Sequence, residues 1–175
     1  MAIRKKNFEV EVPLINSSFS VPAIAIKDLH DKTLKIDTTR ILHGKSIELI
    51  VSVKVEDNKA TGIPKKMTLM PFYIRRMIRN NISYIEDSFI CSATDAKFRI
   101  KPVMITRKAV HRSVRKALSQ KAREEIESFC KDKTLDEVFS EVLSGNFQKE
   151  LSLKLKKIYP LSLCEIRMLI PEKKA

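Results

Sequence analysis

The sequence predicts an α+β fold, and three observations carry that reading. Period-two alternation of apolar and polar residues dominates the first third of the chain. Apolar residues at helical spacing dominate the last third, and a final alternating segment then returns as a strand. Such a return argues for one domain over residues 1–175, within the usual size of a single domain. The expected partition is a short basic arm over 1–7 and a mainly β core with one short helix over 8–106. Helices over 107–158 and a closing strand over 161–170 complete it.

The elements follow in order. Phe8, Val10 and Val12 alternate with Glu9 and Glu11, and Pro13 ends the run. Leu34 and Ile36 alternate with Lys35 and Asp37. Ile47, Leu49, Val51, Val53 and Val55 share one face of a third strand, a β-branched pattern that suits a pleated surface. Asp57-Asn58-Lys59 reads as a turn, and Thr61-Gly62 as a further bend. Pro71 suits the first turn of a helix, with Phe72–Arg79 as its body. Ile74, Met77 and Ile78 are expected on its core side, and Asn80-Asn81 stops it. Ser83–Cys91 and Lys97–Ile105 are expected to pair as strands around Ser92–Asp95. Phe98, Ile100 and Met104 take one face of the second, and Lys97, Arg99 and Lys101 the other.

A long basic helix is expected from Arg107 to Lys131, with Thr106 as its N-cap. Val110, Val114, Ala117, Leu118, Ile126 and Phe129 form its apolar stripe. Thr134-Leu135-Asp136-Glu137 is a capping box opening the next helix, and Gly145 sits where a left-handed C-cap is wanted. The last helix runs over Phe147–Ile158 and stops before Pro160. Leu161–Ile170 is the closing strand.

The charge is uneven. The chain carries 34 Lys and Arg against 21 Asp and Glu, a net +13. Residues 65–123 hold 15 of the basic residues and 3 of the acidic ones. Such an excess points to an anionic partner. The expected long helix is also charged against its own dipole: Arg107, Lys108, His111 and Arg112 crowd its start, and Glu124, Glu125 and Glu127 its end. Folding gains nothing from that order, whereas an anion docked at the helix start gains from dipole, N–H groups and cations together. A solvated Lys/Arg face is the bland alternative. Two further sets weigh against it, Lys97/Arg99/Lys101 and Arg75/Arg76/Arg79, with Arg123 further along the helix. Arg suits phosphate through its planar fork. Lys154, Lys156 and Lys157 near a helix C-terminus read instead as an ordinary dipole-favoured set.

Several classes are excluded. Three isolated glycines rule out a phosphate loop or a dinucleotide-binding turn. Cys91, Cys130 and Cys164 are scattered, which argues against a disulfide framework or zinc ribbon and suits a reducing compartment. No apolar run approaches a membrane span, and Met1–Lys6 lacks a secretory signal. A cytoplasmic location and no membrane partner are expected. No helix-turn-helix or zinc-finger spacing appears, and aromatic residues are only 6% with no Trp. Backbone and shape recognition of a folded RNA remains. Glu86, Asp87, Asp95 and His111 are the titratable groups beside the basic stretch that an RNA-processing enzyme could use. Salt-bridge carboxylates and a surface histidine are the simpler reading. No catalytic set, metal site or cofactor is expected.

Several segments together resemble one family. Phe72-Tyr73-Ile74-Arg75-Arg76-Met77-Ile78-Arg79 looks like its short basic helix, and Phe98-Arg99-Ile100-Lys101-Pro102-Val103 like its basic strand. Ile105-Thr106-Arg107-Lys108, then Arg112 and Arg115-Lys116-Ala117, is similar to the start of its long helix. Lys157-Ile158-Tyr159-Pro160-Leu161 with Glu165-Ile166-Arg167 looks like its C-terminal signature. The order resembles, over residues 8–171, the archaeal and eukaryotic small-subunit ribosomal proteins called S-three-A-e, or S-one-e. The resemblance implies a β-barrel-like antiparallel core flanked by helices. It implies binding to small-subunit ribosomal RNA on the platform, near the messenger exit and the RNA 3′ end. Neighbouring ribosomal proteins, and messenger RNA near the exit, are the implied partners. It marks Arg75, Arg76, Arg79, Lys101, Arg107, Lys108, Arg112, Arg115 and Lys116 as RNA contacts. The short N-terminal arm and the hairpin Ala93-Thr94-Asp95-Ala96, without an Asp-Gly turn, depart from the family pattern. A free-standing RNA-binding assembly or translation factor is the alternative function.

Overall fold

A computed structural model describes residues 6–42, 44–56 and 59–172. Arg4 and Lys5 of the expected arm, His43, and Asp57-Asn58 of the expected turn lie outside the described residues.

Strand β1 (Lys6–Val12) starts inside the segment expected as an arm and buries Val10 and Val12 while Glu9 and Glu11 stay exposed. A single turn of 3-10 helix over Pro13–Ile15 follows, and Asn16 at φ 51° reverses the chain. It leads into β2 (Ser17–Ala23), antiparallel to β1. The sequence reading has no separate strand here, because Phe19 and Val21 alternate with serines over too short a run.

β3 (Thr33–Asp37), β4 (Ile47–Glu56) and β5 (Lys59–Leu69) form an antiparallel ladder. The bend expected at Thr61-Gly62 is absent, since Gly62 lies within β5. A Cβ there would stand 2.7 Å from Cγ1 of Val51 and 2.9 Å from Cγ2 of Val12. Gly62 therefore marks the close approach of β1 and β4 to β5, a second standard use of glycine in a strand.

Helix α1 (Pro71–Met77) stops two residues short of Arg79. Tyr73 and Ile74 are buried as its amphipathic spacing requires, but Ile78, expected in the core, is 44% exposed. It sits past the helix with extended backbone, so the helical spacing no longer aims it inward. The expected strand Ser83–Cys91 is two strands, β6 (Tyr84–Glu86) and β7 (Phe89–Ser92), interrupted at Asp87-Ser88. Both pair with β8 (Lys97–Thr106).

The long helix α2 spans Arg112–Lys131, five residues later than expected at its start. Thr106, expected as its cap, is the fully buried last residue of β8. Its Oγ1 accepts a hydrogen bond from the Ser83 amide at 2.9 Å and donates to the Lys108 carbonyl at 2.7 Å. The chain is thus still leaving the sheet where a helix was expected. In α3 (Leu135–Ser144) the capping box of Thr134 and Glu137 forms as read, and Gly145 closes the helix at φ 78°. Helix α4 (Asn146–Leu155) ends before the expected Ile158. β9 (Leu161–Pro171) closes the chain.

The sheet runs β2-β1-β5-β9-β8-β6, with β4 and then β3 added to β5 and β7 added to β8. All pairs are antiparallel except β1 with β5. The closing strand does rejoin the sheet, inserted between β5 and β8. The fold is α+β with a mostly open sheet, and the pairings among the described residues do not themselves show the barrel-like closure that the resemblance implied.

The main core lies between one sheet face and the three long helices. Leu49, Phe98 and Ile100 meet Leu118, Ile126 and Phe139 there, each fully buried. Burying such side chains contributes about 1.5–3 kcal/mol apiece. A smaller cluster of Val10, Ala23, Leu29, Val53 and Ala60 holds β1 and β2 to the far ends of β4 and β5.

Candidate nucleic-acid interface

The chain between β8 and α2 is fastened at two points. Thr106 and Ser83 exchange hydrogen bonds, and the Ser83 Oγ accepts from the Val110 amide at 3.0 Å. These bonds fix the exposed Arg107 and Lys108 to the sheet immediately before α2. The helix itself opens at His111, which has extended backbone and gives no side-chain cap. Its first-turn N–H groups therefore have no side-chain acceptor among the described residues, and its first turn contains no acidic residue. Arg112, Arg115 and Lys116 are all exposed in its first two turns.

The later start changes the dipole argument without removing it. Arg107 and Lys108 precede the helix, and Lys131 in the last turn is correctly placed for the C-terminal end. The mismatch that remains is the Arg112 end, where cations face the positive pole.

Arg112, Arg115 and Lys116 form one wall of an open groove whose other wall is Tyr84, Ile85 and Glu86 of β6. Glu86 does not neutralise them, because its carboxylate is held by Arg167 and by the Tyr84 hydroxyl at 2.8 Å. Burial, and then that bond to Glu86, raises the Tyr84 phenol above its ordinary range, so it remains a hydroxyl at neutral pH. The groove thus presents three cations without an ion-pair partner among the described residues and one neutralised carboxylate.

The β8 cations stand elsewhere. Phe98 and Ile100 are buried in the core that contains α2, and side chains alternate across a strand. Lys97, Arg99 and Lys101 therefore lie on the opposite sheet face from the helix. The two sets the sequence grouped are separated by the sheet. Lys66 joins the β8 face, since Thr68 pairs with Met168 and Met168 with Lys101. Lys66 is not among the expected contacts, because no strand is expected over 59–69, although Lys66 and Thr68 alternate with Met67 and Leu69. Arg75 and Arg76 lie exposed on α1, with Arg76 5.3 Å from the Tyr73 ring, and Arg79 lies exposed beyond it.

Two of the twelve expected contacts are engaged within the protein. Arg99 pairs with Glu172 at 3.2 Å, and Arg123 with Asp87 at 3.4 Å. The Arg123 guanidinium also lies 4.9 Å from the Phe89 ring centre. Arg75, Arg76, Arg79, Lys97, Lys101, Arg107, Lys108, Arg112, Arg115 and Lys116 form no ion pair among the described residues.

The acids beside this surface have structural partners. Asp87 accepts from the Ser119 hydroxyl at 2.8 Å as well as from Arg123. Among the described residues no three His, Cys, Asp or Glu converge as metal ligands. Cys91, Cys130 and Cys164 are free and buried. Burial pushes the Cys164 thiol up to about 12, so it is inert as a nucleophile. No helix among the described residues is long and apolar enough to cross a membrane.

The chemistry of this arrangement is that of a basic α+β scaffold protein, in which the sheet and helices hold up cations and the nearby acids serve as their braces. The chain belongs to the ribosomal S3Ae family, whose family model matches residues 4–174. That is a family of structural ribosomal proteins and not of enzymes. The chain is 31% identical over 174 residues to small ribosomal subunit protein eS1 of Ignicoccus hospitalis, covering 93% of this chain and 81% of that one. It is 30% identical over 95 residues to the protein of the same name from Methanothermobacter thermautotrophicus, 54% of this chain and 49% of that one. With the one from Halorubrum lacusprofundi it shares 29% over 108 residues, 61% of this chain and 50% of that one. The chain spans about half the length of these last two relatives.

Proposed function

We propose that the chain is a structural constituent of the small ribosomal subunit and binds ribosomal RNA through the cations at the start of α2. The observation that carries this is the exposed set Arg107, Lys108, Arg112, Arg115 and Lys116, fastened through Thr106 and Ser83 and lacking carboxylate partners among the described residues. Phosphate is the ligand that uses all its parts: cations, uncapped helix N–H groups and the helix dipole. Lys97 and Lys101, with Lys66, form a second contact area on the opposite sheet face, so the sheet edge stands between two RNA segments. On this reading the protein sits on the platform, near the messenger exit and the RNA 3′ end, among neighbouring small-subunit proteins and close to messenger RNA, as its resemblance to the family implies. It would therefore be ribosome-associated and cytoplasmic.

Sedimentation in sucrose gradients tests the reading. The protein should travel with small subunits at one copy each, and a protein found only in the free fraction would overturn it. Substoichiometric association confined to immature subunits would favour a free-standing assembly factor instead.

A further inference from the structure

β9 has an incomplete ladder. Its inner edge pairs with β8 from Leu161 to Pro171, but its outer edge pairs with β5 only at Met168 and Leu169. From Leu161 to Glu165 no backbone hydrogen bond to another element is made on that outer side among the described residues. The edge is not plain solvent. It borders a groove of about 790 Å³ between β9, the α3–α4 junction and the loop carrying Leu42 and Lys45. Leu42, Leu143 and Leu163 supply its apolar lining, and Leu153 stands 67% exposed at its side.

Two polar features give the groove direction. Gln148, only 4% exposed, lines it and donates through Nε2 to the Val142 carbonyl at 2.8 Å, while its buried Oε1 has no partner among the described residues. An unpaired buried carbonyl is costly, and a native example asks for an absent donor. The Lys45 ammonium is already neutralised by Glu165 at 2.8 Å, but the exposed Lys149 beside it pairs with no carboxylate among the described residues. The free charge of the groove is therefore positive.

We infer that this groove accepts an extended segment of a partner protein, which adds a strand to the outer edge of β9 between Leu161 and Glu165. An open strand edge beside an apolar trough is the arrangement used for strand addition. Main-chain bonds there give affinity and alternate side chains give specificity. The segment alternates apolar residues, which enter the trough, with residues facing out, and carries a carboxylate opposite Lys149. RNA supplies neither the backbone ladder nor the apolar side chains. The inference concerns a different surface from the α2 cations and stands or falls without them.

The probe is a short capped peptide alternating valine and glutamate, titrated at up to millimolar concentration into the isotopically labelled full chain. Amide resonances of Leu161–Glu165, Lys45 and Gln148–Leu153 should shift together, and hydrogen exchange at Leu161–Glu165 should slow. Lys149→Glu, an exposed change, should weaken binding severalfold without altering Tm, and Leu153→Asp should do the same. A peptide N-methylated at alternate residues should lose binding, because it cannot complete the ladder. Absence of shifts at millimolar peptide would overturn the proposal. Equal binding of the N-methylated peptide, or displacement of the peptide by oligouridine bound in the same groove, would also overturn it.

Discussion

The two halves of α2 treat charge in opposite ways. The first half carries Arg112, Arg115 and Lys116 with no carboxylate partner among the described residues. From Lys121 onward most of the charges are spent internally. Lys121 bridges Glu124 and Glu125, both at 3.2 Å, and Glu125 reaches Lys154 of α4 at 2.7 Å. Arg123 pairs with Asp87, and Lys133 just beyond the helix pairs with Glu141 of α3. The hydrogen bonds from Lys154 and Lys121 hold the Glu125 carboxyl below its ordinary range, and the same glutamates raise Lys121. One helix thus has a half that is stapled to its own protein and a half left available. A count of Lys and Arg along a helix does not define its surface; what matters is whether acids face them.

The largest effect expected from this contrast is on binding. Arg112→Glu with Arg115→Glu should weaken affinity for small-subunit RNA roughly 10–100-fold and flatten the salt dependence by about two phosphate contacts, with Tm unchanged. An unchanged salt slope would place the RNA on another face. The matched change in the other half, Arg123→Ala, should leave the slope nearly intact and lower Tm instead, since its partners are Asp87 and Phe89. A salt slope that drops equally in both variants would erase the distinction between the halves.

Thr106→Val probes the fastening beneath the first half. It leaves the Ser83 amide without its acceptor and removes the bond to Lys108, at a cost of about 1–2 kcal/mol in a denaturant titration. RNA affinity should fall with it, because Arg107 and Lys108 lose their fixed position. Affinity that stays constant would show that the loop needs no fastening.

The smallest effect is expected at Glu125. Glu125→Gln should lower Tm by about 2 °C and leave RNA affinity unchanged. The effect has a pH signature. A carboxyl whose folded pKa is depressed stabilises the protein above its unfolded pKa, and loses that contribution as pH falls through the folded value. The Tm gap between native and Glu125→Gln proteins should therefore be full at neutral pH and close on acidification below about pH 4.5. A gap that widens with acid would contradict the pairing.

Much of the fold was legible because its signals are local. The alternation over β4, the capping box at Thr134, the left-handed position at Gly145 and the returning β9 each follow from a few neighbouring residues. The errors share a cause as well. Thr106 has the side chain of a helix cap, but a strand pairing with Leu161 of β9 and a bond from the Ser83 amide claim it first. Gly62 has the freedom of a turn residue, but Val12 and Val51, distant in sequence, use its missing side chain. Lys66 was overlooked because β5 is recognised best through its partners β4 and β9.

The sequence alone determined that this is an α+β chain with a concentrated basic middle, since periodicity and charge need no partner to be read. The family resemblance, too, rests on ordered local motifs. Only the tertiary structure decided which cations are free, because ion pairing depends on distance across the fold and not along the chain. It placed the β8 cations and the α2 cations on opposite sides of the sheet, through the alternation of β8 and the packing of α2 on one face. It also left the outer edge of β9 from Leu161 to Glu165 without a strand partner among the described residues, a feature that exists only once β5 turns away after Leu69.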